Sequence, residues 1–482
     1  MSGSASRRRA PPPAADLPRV EELRPAPAAE SCFARFAALP HCLWLDSAAF
    51  DPQVGKYSFL AADPFDYLEC PLEGADALPA LAGRLRPFLQ DRRPELPPFQ
   101  GGAAGILSYE LGRQIEAVPP PRYDEFGLPA LAMGLYDVVL AFDHLAGRAW
   151  LISQGLPEFE PSRRRARAAA RAAFFHRLLA EPPRVSGRSP TTSSPPLSSA
   201  VLAPQFPARG PASLNSSFSR EGYLAAVRRI VDYIRAGDVF QVNLAQRLIH
   251  PAVDDAAALY RRLRQRNAAP FAGYFDGGRF QVVSASPERF LKVVDGLVQT
   301  RPIKGTAPRP AERAAARAAA RRLLESEKDR AENVMIVDLM RNDLAKVCRP
   351  ESVVVAALCR LETYRYVHHL VSVVEGRLAE GNRAVDLIAA AFPGGSITGA
   401  PKVRAMEIVA ELEPTARGAY CGSMGYVGFD GTMDLSILIR TITAARGWWQ
   451  LPVGGGVVIG SDPEREYEET WHKAEGLIRA LR

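Results

Sequence analysis

One stretch of the chain carries apolar side chains at clear helical spacing. Tyr223, Val227, Ile230, Val231 and Ile234 fall on one face between about 220 and 236, which predicts an amphipathic helix closed by Gly237-Asp238. The run VFQVNLAQRLI after it reads as a strand. Three Asp-Gly pairs, Asp276-Gly277, Asp295-Gly296 and Asp430-Gly431, then separate strand-like runs. Asp-Gly supplies the positive φ that tight hairpins need, so much antiparallel pairing is expected. Further helices are expected at about 310–340, 384–392, 400–412 and 463–481. Earlier in the chain, LWLDSA, KYSFLAADP and GLYDVVLAFD are strand-like, and GGAAGILSYELGR opens on paired glycines that suit close backbone contact. The predicted class is α+β, with large antiparallel sheets and helices packed outside them.

Pro, Ser and Gly dominate residues 181–217, where apolar periodicity disappears. This composition predicts a linker between an N-terminal region over 31–180 and a larger region over 218–482. Residues 1–30 are expected to be a disordered arm, because Arg7, Arg8 and Arg9 run into Pro11, Pro12 and Pro13 and not into an apolar signal segment. The chain has 482 residues, 47% hydrophobic and 23% charged, which suits a globular protein and excludes collagen or coiled coil for its bulk. No apolar run approaches the roughly 20 residues that span a bilayer. The formal charge of +7 is small for this length. Its visible source is an Ala-rich helical segment with Arg163, Arg164, Arg165, Arg167, Arg171 and Arg177, read as a solvated face. A nucleic-acid patch would want interleaved aromatics and a recognisable module, so no nucleic-acid partner is expected. Cys32, Cys42, Cys70, Cys348, Cys359 and Cys421 form no metal-type pair and read as reduced thiols in a cytoplasm.

Candidate chemistry begins with the last helix. Ser461 is placed to cap it, with Glu464 three residues on and Pro463 in the first turn. Glu466, Glu469 and Lys473 then share one face. The segment KDRAENVMIVDLMRNDL presents Asp329 and Glu332 at i, i+3, and its apolar Val334, Met335, Val337 and Leu339 suggest burial. A buried carboxylate needs a partner or a metal. If the two helices faced each other, Glu332 and Glu469 would share a hard divalent ion, and oxygen-only ligands favour Mg²⁺ over Zn²⁺. The loops FPGGSITGAPK and VGGGVVIGSD are candidate anion cradles, although the first lacks the G-K-[ST] ending of a phosphate loop. Glu288 precedes a hairpin turn and Lys304 follows it, so the two are expected to meet across the hairpin or its edge.

The stretches GDVFQVNLAQR, SPERF, TRPIKGTAPR, DRAENVMIVDLMRNDL, HHLVSVVEG, FPGGSITGAPKVRAMEI, GAYCGSMGYVGFDGTMDLSILIRT and GGGVVIGSDPEREYEETWHKA, in this order, resemble the chorismate-utilising enzymes. The resemblance is strong over 219–480 and less specific before it. Within the family, anthranilate synthases usually read P-I-A-G-T where this chain reads Pro302-Ile303-Lys304-Gly305-Thr306. Lysine there resembles the aminodeoxychorismate-forming branch. Gln241 stands where isochorismate and salicylate synthases carry a water-activating lysine.

The resemblance implies a magnesium ion on Glu332 and Glu469, with Asp329 and Glu466 reaching it through water. Relatives often have Glu at the position of Asp329. It implies substrate contacts from Gln241, Thr306, Ser396, Gly399, Ala400, Tyr420, Arg440, Gly456 and Lys473, with His369 and Ser396 near the ring. Lys304 would be the nucleophile and Glu288 the general acid. A free lysine titrates at about 10.4, so bringing it toward neutrality takes on the order of 4–5 kcal/mol of environment. Glu288 must instead stay protonated, which an apolar pocket favours. The resemblance further implies a separate glutamine amidotransferase subunit that supplies ammonia, and a downstream lyase that uses pyridoxal phosphate. Asp46, Ser47, Tyr57 and Ser58 stand where relatives build a tryptophan pocket. The alternatives are an anthranilate synthase component and, from another class, a nucleic-acid binder that uses the Arg-rich helix.

Overall fold

The computed structural model describes residues 17–52, 54–74, 76–182, 195–364 and 367–482. The arginines at 7–9 lie outside the described residues. Two antiparallel sheets stack face to face, of thirteen and ten strands. Phe59, Ile106, Phe275, Val282, Met424 and Tyr426 fill the space between them. Helices cover the two outer faces. Leu224, Ile230, Tyr260, Trp471 and Leu477 pack on the larger sheet. Leu81, Ile336, Met340 and Leu387 pack on the smaller one. The strand Gln241–Pro251 shows how the period-two pattern serves both sides. Val242, Leu244 and Leu248 face the helices, whereas Ile249 faces the second sheet.

The expected helix over 220–236 is Arg220–Ala236, capped by the Ser219 hydroxyl and ended by Gly237 at φ +84°. The three Asp-Gly turns join paired strands: Phe271–Asp276 to Phe280–Ser286, Arg289–Val294 to Leu297–Thr300, and Ser423–Gly428 to Met433–Ile437. The stretch 310–340 is two helices, Arg313–Glu325 and Glu327–Ala345. The last helix, Pro463–Ala480, is capped by Asp462 and not by Ser461. The Ser461 hydroxyl donates instead to Glu466 at 2.6 Å.

The division at residues 181–217 does not separate two units. Leu43–Asp46 pairs with Phe271–Asp276, and Gly102–Leu107 pairs with Ser423–Gly428. Both sheets therefore contain strands from each side of the supposed linker. Within that segment, Phe206–Pro207 and Asn215–Ser216 extend the larger sheet beside Gln241–Pro251. The arm expected over 1–30 likewise contains a strand, Arg19–Leu23, paired with Arg148–Ser153. Local composition missed these additions because their stability comes from an existing sheet edge.

The Arg-rich helix is Pro161–Ala180, and its face is not wholly solvated. Arg164 donates to Gln154 O, Arg167 to Leu156 O, and Arg171 to Asp63. The six cysteines are free thiols. Among the described residues, no helix is long and apolar enough to cross a membrane.

Candidate active site

The sequence Lys304-Gly305 makes a bulge. Ile303 pairs with Val371 and Thr306 with His369, one residue out of step. Gly305 takes φ +88°, a conformation in which a Cβ is strained. Bulges re-aim side chains, and this one sends the Lys304 ammonium to the Ser396 carbonyl at 3.0 Å. The Ser396 hydroxyl donates to Glu288 Oε1 at 2.8 Å. Lys304 and Glu288 thus share one site, but through Ser396, because the Lys304 strand pairs with Val367–Arg377 and not with Arg289–Val294.

Their environments tune them in opposite directions. Burial raises Glu288 from 4.5 to about 7, against the Ser396 hydroxyl, Lys304 and the Ile303 N–H, which favour its charge. Burial lowers Lys304 below the ordinary lysine range, while Glu332 and Glu288 pull it back up. A protonatable carboxyl beside a depressed amine is the pattern expected of an acid and a nucleophile. His369 is hydrogen-bonded through Nδ1 to the Thr306 hydroxyl at 2.8 Å. Burial and the nearby Arg440 and His368 lower it to about 4, so it is neutral at pH 7.

The opposite wall is glycine-rich. Gly399 sits at φ +144°, and a Cβ there would lie 2.1 Å from the Gln241 carbonyl oxygen. Gly399 and Ala400 pair directly with Val242 and Gln241. The Gln241 amide is fully buried with neither polar atom hydrogen-bonded, and it lies against Gly456. Tyr420 is buried, and Arg440, at φ +53°, feels both Tyr420 and Glu469. The Lys473 ammonium donates to Gly454 O at 2.9 Å and pairs with Glu469 at 2.6 Å.

The two acidic helices do face each other. Lys328 stands 3.9 Å from both Glu332 and Glu466. Glu469 and Glu466 approach Gly455, and Asp329 packs on Gly305 beside Lys304. Glu332 is raised by burial and by Asp329 and Glu466, and Glu466 by burial and by Glu469, despite the lysines. This is an acidic cluster short of positive charge. Among the described residues, no three Asp, Glu, His or Cys side chains close on one point. The oxygen-only donor set still fits Mg²⁺, which keeps several waters and needs only one or two direct carboxylates. Val334, expected to be buried, is 48% exposed, while Asn333, Ile336, Val337 and Met340 form the buried face.

A cavity of about 190 Å³ lies between the sheets, lined by Asp46, Ser47, Tyr57, Phe271, Lys292 and Tyr426 among others. Ser58 is buried behind it and joins Asp46 to His144. The Asp46 carboxylate is already bound by Arg264 at 2.6 Å and Tyr260 at 2.9 Å.

Sequence reasoning passed over Lys328 between the acids, and over Arg417 with Glu413 and Glu110 behind the Ser396 loop. The i, i+4 spacing of Glu413 and Arg417 was the available signal.

Comparison with known proteins accords with this geometry. Residues 57–479 match the family described as chorismate binding enzyme. Anthranilate synthase component 1 of Thermus thermophilus is 44% identical over 411 residues, covering 85% of this chain and 83% of that one. Aminodeoxychorismate synthase component 1 of Salmonella typhimurium is 40% identical over 469 residues, covering 94% and 96%. The crystal structure of anthranilate synthase component I from Streptococcus pneumoniae superposes with a TM-score of 0.74 at 29% identity, over 89% of this chain and 93% of that one. With a family match across most of its length and the acid, amine and carboxylates gathered together, the chain belongs to the chorismate binding enzyme family and is a chorismate-utilising enzyme.

Proposed function

We propose that the protein is component I of an aminodeoxychorismate synthase, converting chorismate and ammonia to 4-amino-4-deoxychorismate. The observation that carries this is the Lys304–Ser396–Glu288 linkage, with the amine depressed and the carboxyl raised. In this reading neutral Lys304 attacks ring C2 while Glu288 gives its proton to the departing C4 hydroxyl, which leaves as water. Ammonia then adds at C4 and the lysine leaves C2, which restores the diene. Gln241, Gly399, Ala400, Tyr420, Arg440, Gly456 and Lys473 hold the substrate, and neutral His369 with Thr306 borders the ring. A magnesium ion on Glu332 and Glu469, with Asp329 and Glu466 reaching it through water, would supply charge that anchors a substrate carboxylate.

Ammonia at neutral pH is mostly ammonium, so a glutamine amidotransferase subunit is the proposed source, and a separate lyase would aromatise the product. Overall identity does not decide between the two branches, because relatives named for anthranilate synthase match at 34–44% and those named for aminodeoxychorismate synthase at 36–43%. Lysine at position 304 supports the first. Purified chain given chorismate, Mg²⁺ and ammonium salt tests the choice. 4-Aminobenzoate formed only after lyase is added supports the proposal; blue-fluorescent anthranilate formed without lyase overturns it. In the same reading the inter-sheet cavity takes tryptophan, and calorimetric titration with no heat would remove that assignment.

A further inference from the structure

We propose that Arg417 is a positioning residue for this reaction: its guanidinium fixes the loop through which Ser396 joins Lys304 to Glu288. The inference rests on the assignment of those two residues as nucleophile and acid.

The Arg417 side chain is 3% exposed. Nη1 donates to the Ile397 carbonyl at 3.0 Å, one residue beyond Ser396. Nη2 donates to the Asn243 carbonyl at 2.6 Å, two residues beyond Gln241. Asn243 in turn donates its N–H to the Thr398 carbonyl at 2.8 Å. One planar fork therefore ties the Ser396 loop to the start of the Gln241 strand. The fork is itself held. Glu413 accepts from Nε at 2.9 Å and from Nη2 at 2.6 Å, and also from the Ala245 N–H at 2.8 Å. The backbone N–H groups of Arg417 and Gly418 donate to Glu110 at 2.8 and 2.9 Å. The Tyr109 ring lies 4.5 Å from the guanidinium.

This construction suits arginine and not lysine. Two carbonyls in different segments and a carboxylate are met from one rigid plane, which a single ammonium cannot reproduce. The Ser396 loop needs such support. Gly394 and Gly395 precede Ser396, and its own short helical turn spans only Gly395–Ile397. Ser396 serves Lys304 with its carbonyl and Glu288 with its hydroxyl. A shift of the loop therefore disturbs both reacting groups together. Of the groups proposed to hold the substrate, the Tyr420 ring lies 6.0 Å from the guanidinium, while Lys473 is held elsewhere by Gly454 O and Glu469.

The expected signature is a loss in kcat with little change in KM. Two variants are compared with wild type by steady-state consumption of chorismate with saturating ammonium. R417K keeps the charge but reaches fewer acceptors. The double variant R417M/E413Q removes both charges, leaves no unpaired buried ion, and keeps an acceptor for the Ala245 N–H. Misplacement on the scale of 1 Å costs about 10²-fold. We expect kcat to fall about 10-fold in R417K and about 10²-fold in the double variant, with KM for chorismate within about threefold of wild type.

The pH profile supplies a second readout. Glu288 faces the Lys304 ammonium, the Cys421 thiol, the Ile303 N–H and the Ser396 hydroxyl. Loss of the Ser396 donor removes support for its ionised form, so the limb at which activity falls with rising pH moves upward. Wild-type kcat in a folded R417M/E413Q protein, or equal losses in kcat and affinity with an unmoved limb, would overturn the inference. If the double variant does not fold, the kcat, KM and pH limb of R417K decide by the same criteria. The identity of the wild-type product judges the underlying reading separately, because the variants are scored only as ratios to wild type.

Discussion

Replacing Glu288 with glutamine should set activity against stability. The residue is 4% exposed, and burial lifts its carboxyl from 4.5 to about 7. A folded value above the unfolded one means that the folded chain binds this proton more tightly. The group therefore favours the fold below the unfolded pKa, and that contribution is lost as pH rises from about 4.5 through about 7. Each unit of displacement is worth about 1.4 kcal/mol, so ionised Glu288 costs the wild-type fold about 3 kcal/mol at pH 8. Glutamine keeps the shape and an acceptor for the Ser396 hydroxyl without the charge. E288Q should match wild type within about 1 kcal/mol at pH 5 and exceed it by up to about 3 kcal/mol at pH 8. Loss of general-acid assistance should meanwhile lower turnover by about 10²–10⁴-fold. Urea unfolding at the two pH values, beside steady-state rates, tests both parts. A stability difference independent of pH, or a variant less stable than wild type at pH 8, would refute the reasoning.

Other consequences are simpler. Wild-type activity should fall through about pH 7 as Glu288 ionises, while the burial that lowers Lys304 moves the limb set by its deprotonation down from the ordinary lysine range; a rate that climbs steadily to pH 9 would contradict the acid assignment. Glu332→Gln or Glu469→Gln should raise the magnesium concentration needed for activity or abolish activity, and an unchanged magnesium titration would count against both as ligands. Gly399→Ala should disrupt the cleft wall, because its Cβ would lie 2.1 Å from the Gln241 carbonyl at a strained φ. The cost is about 1–3 kcal/mol from the backbone alone, and a soluble variant with wild-type stability would show that this contact relaxes.

The sequence made visible whatever local rules control. The helix Arg220–Ala236 announced itself by apolar spacing and by Ser219 and Gly237 at its ends, and each Asp-Gly pair marked a real hairpin. The interleaving of the two halves was not visible. The pairing of Leu43–Asp46 with Phe271–Asp276 joins segments more than 200 residues apart, and no periodicity encodes a partner at that distance. Short edge strands such as Asn215–Ser216 sat in Pro/Ser-rich sequence because the neighbouring strand, and not their own side chains, holds them. At the site, family motifs brought Lys304, Glu288 and Ser396 into view, but not the order of their contacts. The bulge at Gly305 and the Arg417 fork depend on backbone register and on carbonyl positions, which side-chain identity does not report.

In the proposed reaction the Lys304 amine forms a covalent bond to the substrate ring. Wild-type protein mixed with chorismate and Mg²⁺ without ammonia, quenched in acid and digested, can be examined by peptide mass spectrometry beside Lys304→Ala. A ring-derived mass is expected on the peptide that contains Lys304, absent from the variant and discharged when ammonium is added before the quench. An unmodified wild-type peptide, together with wild-type turnover in Lys304→Ala, would contradict it.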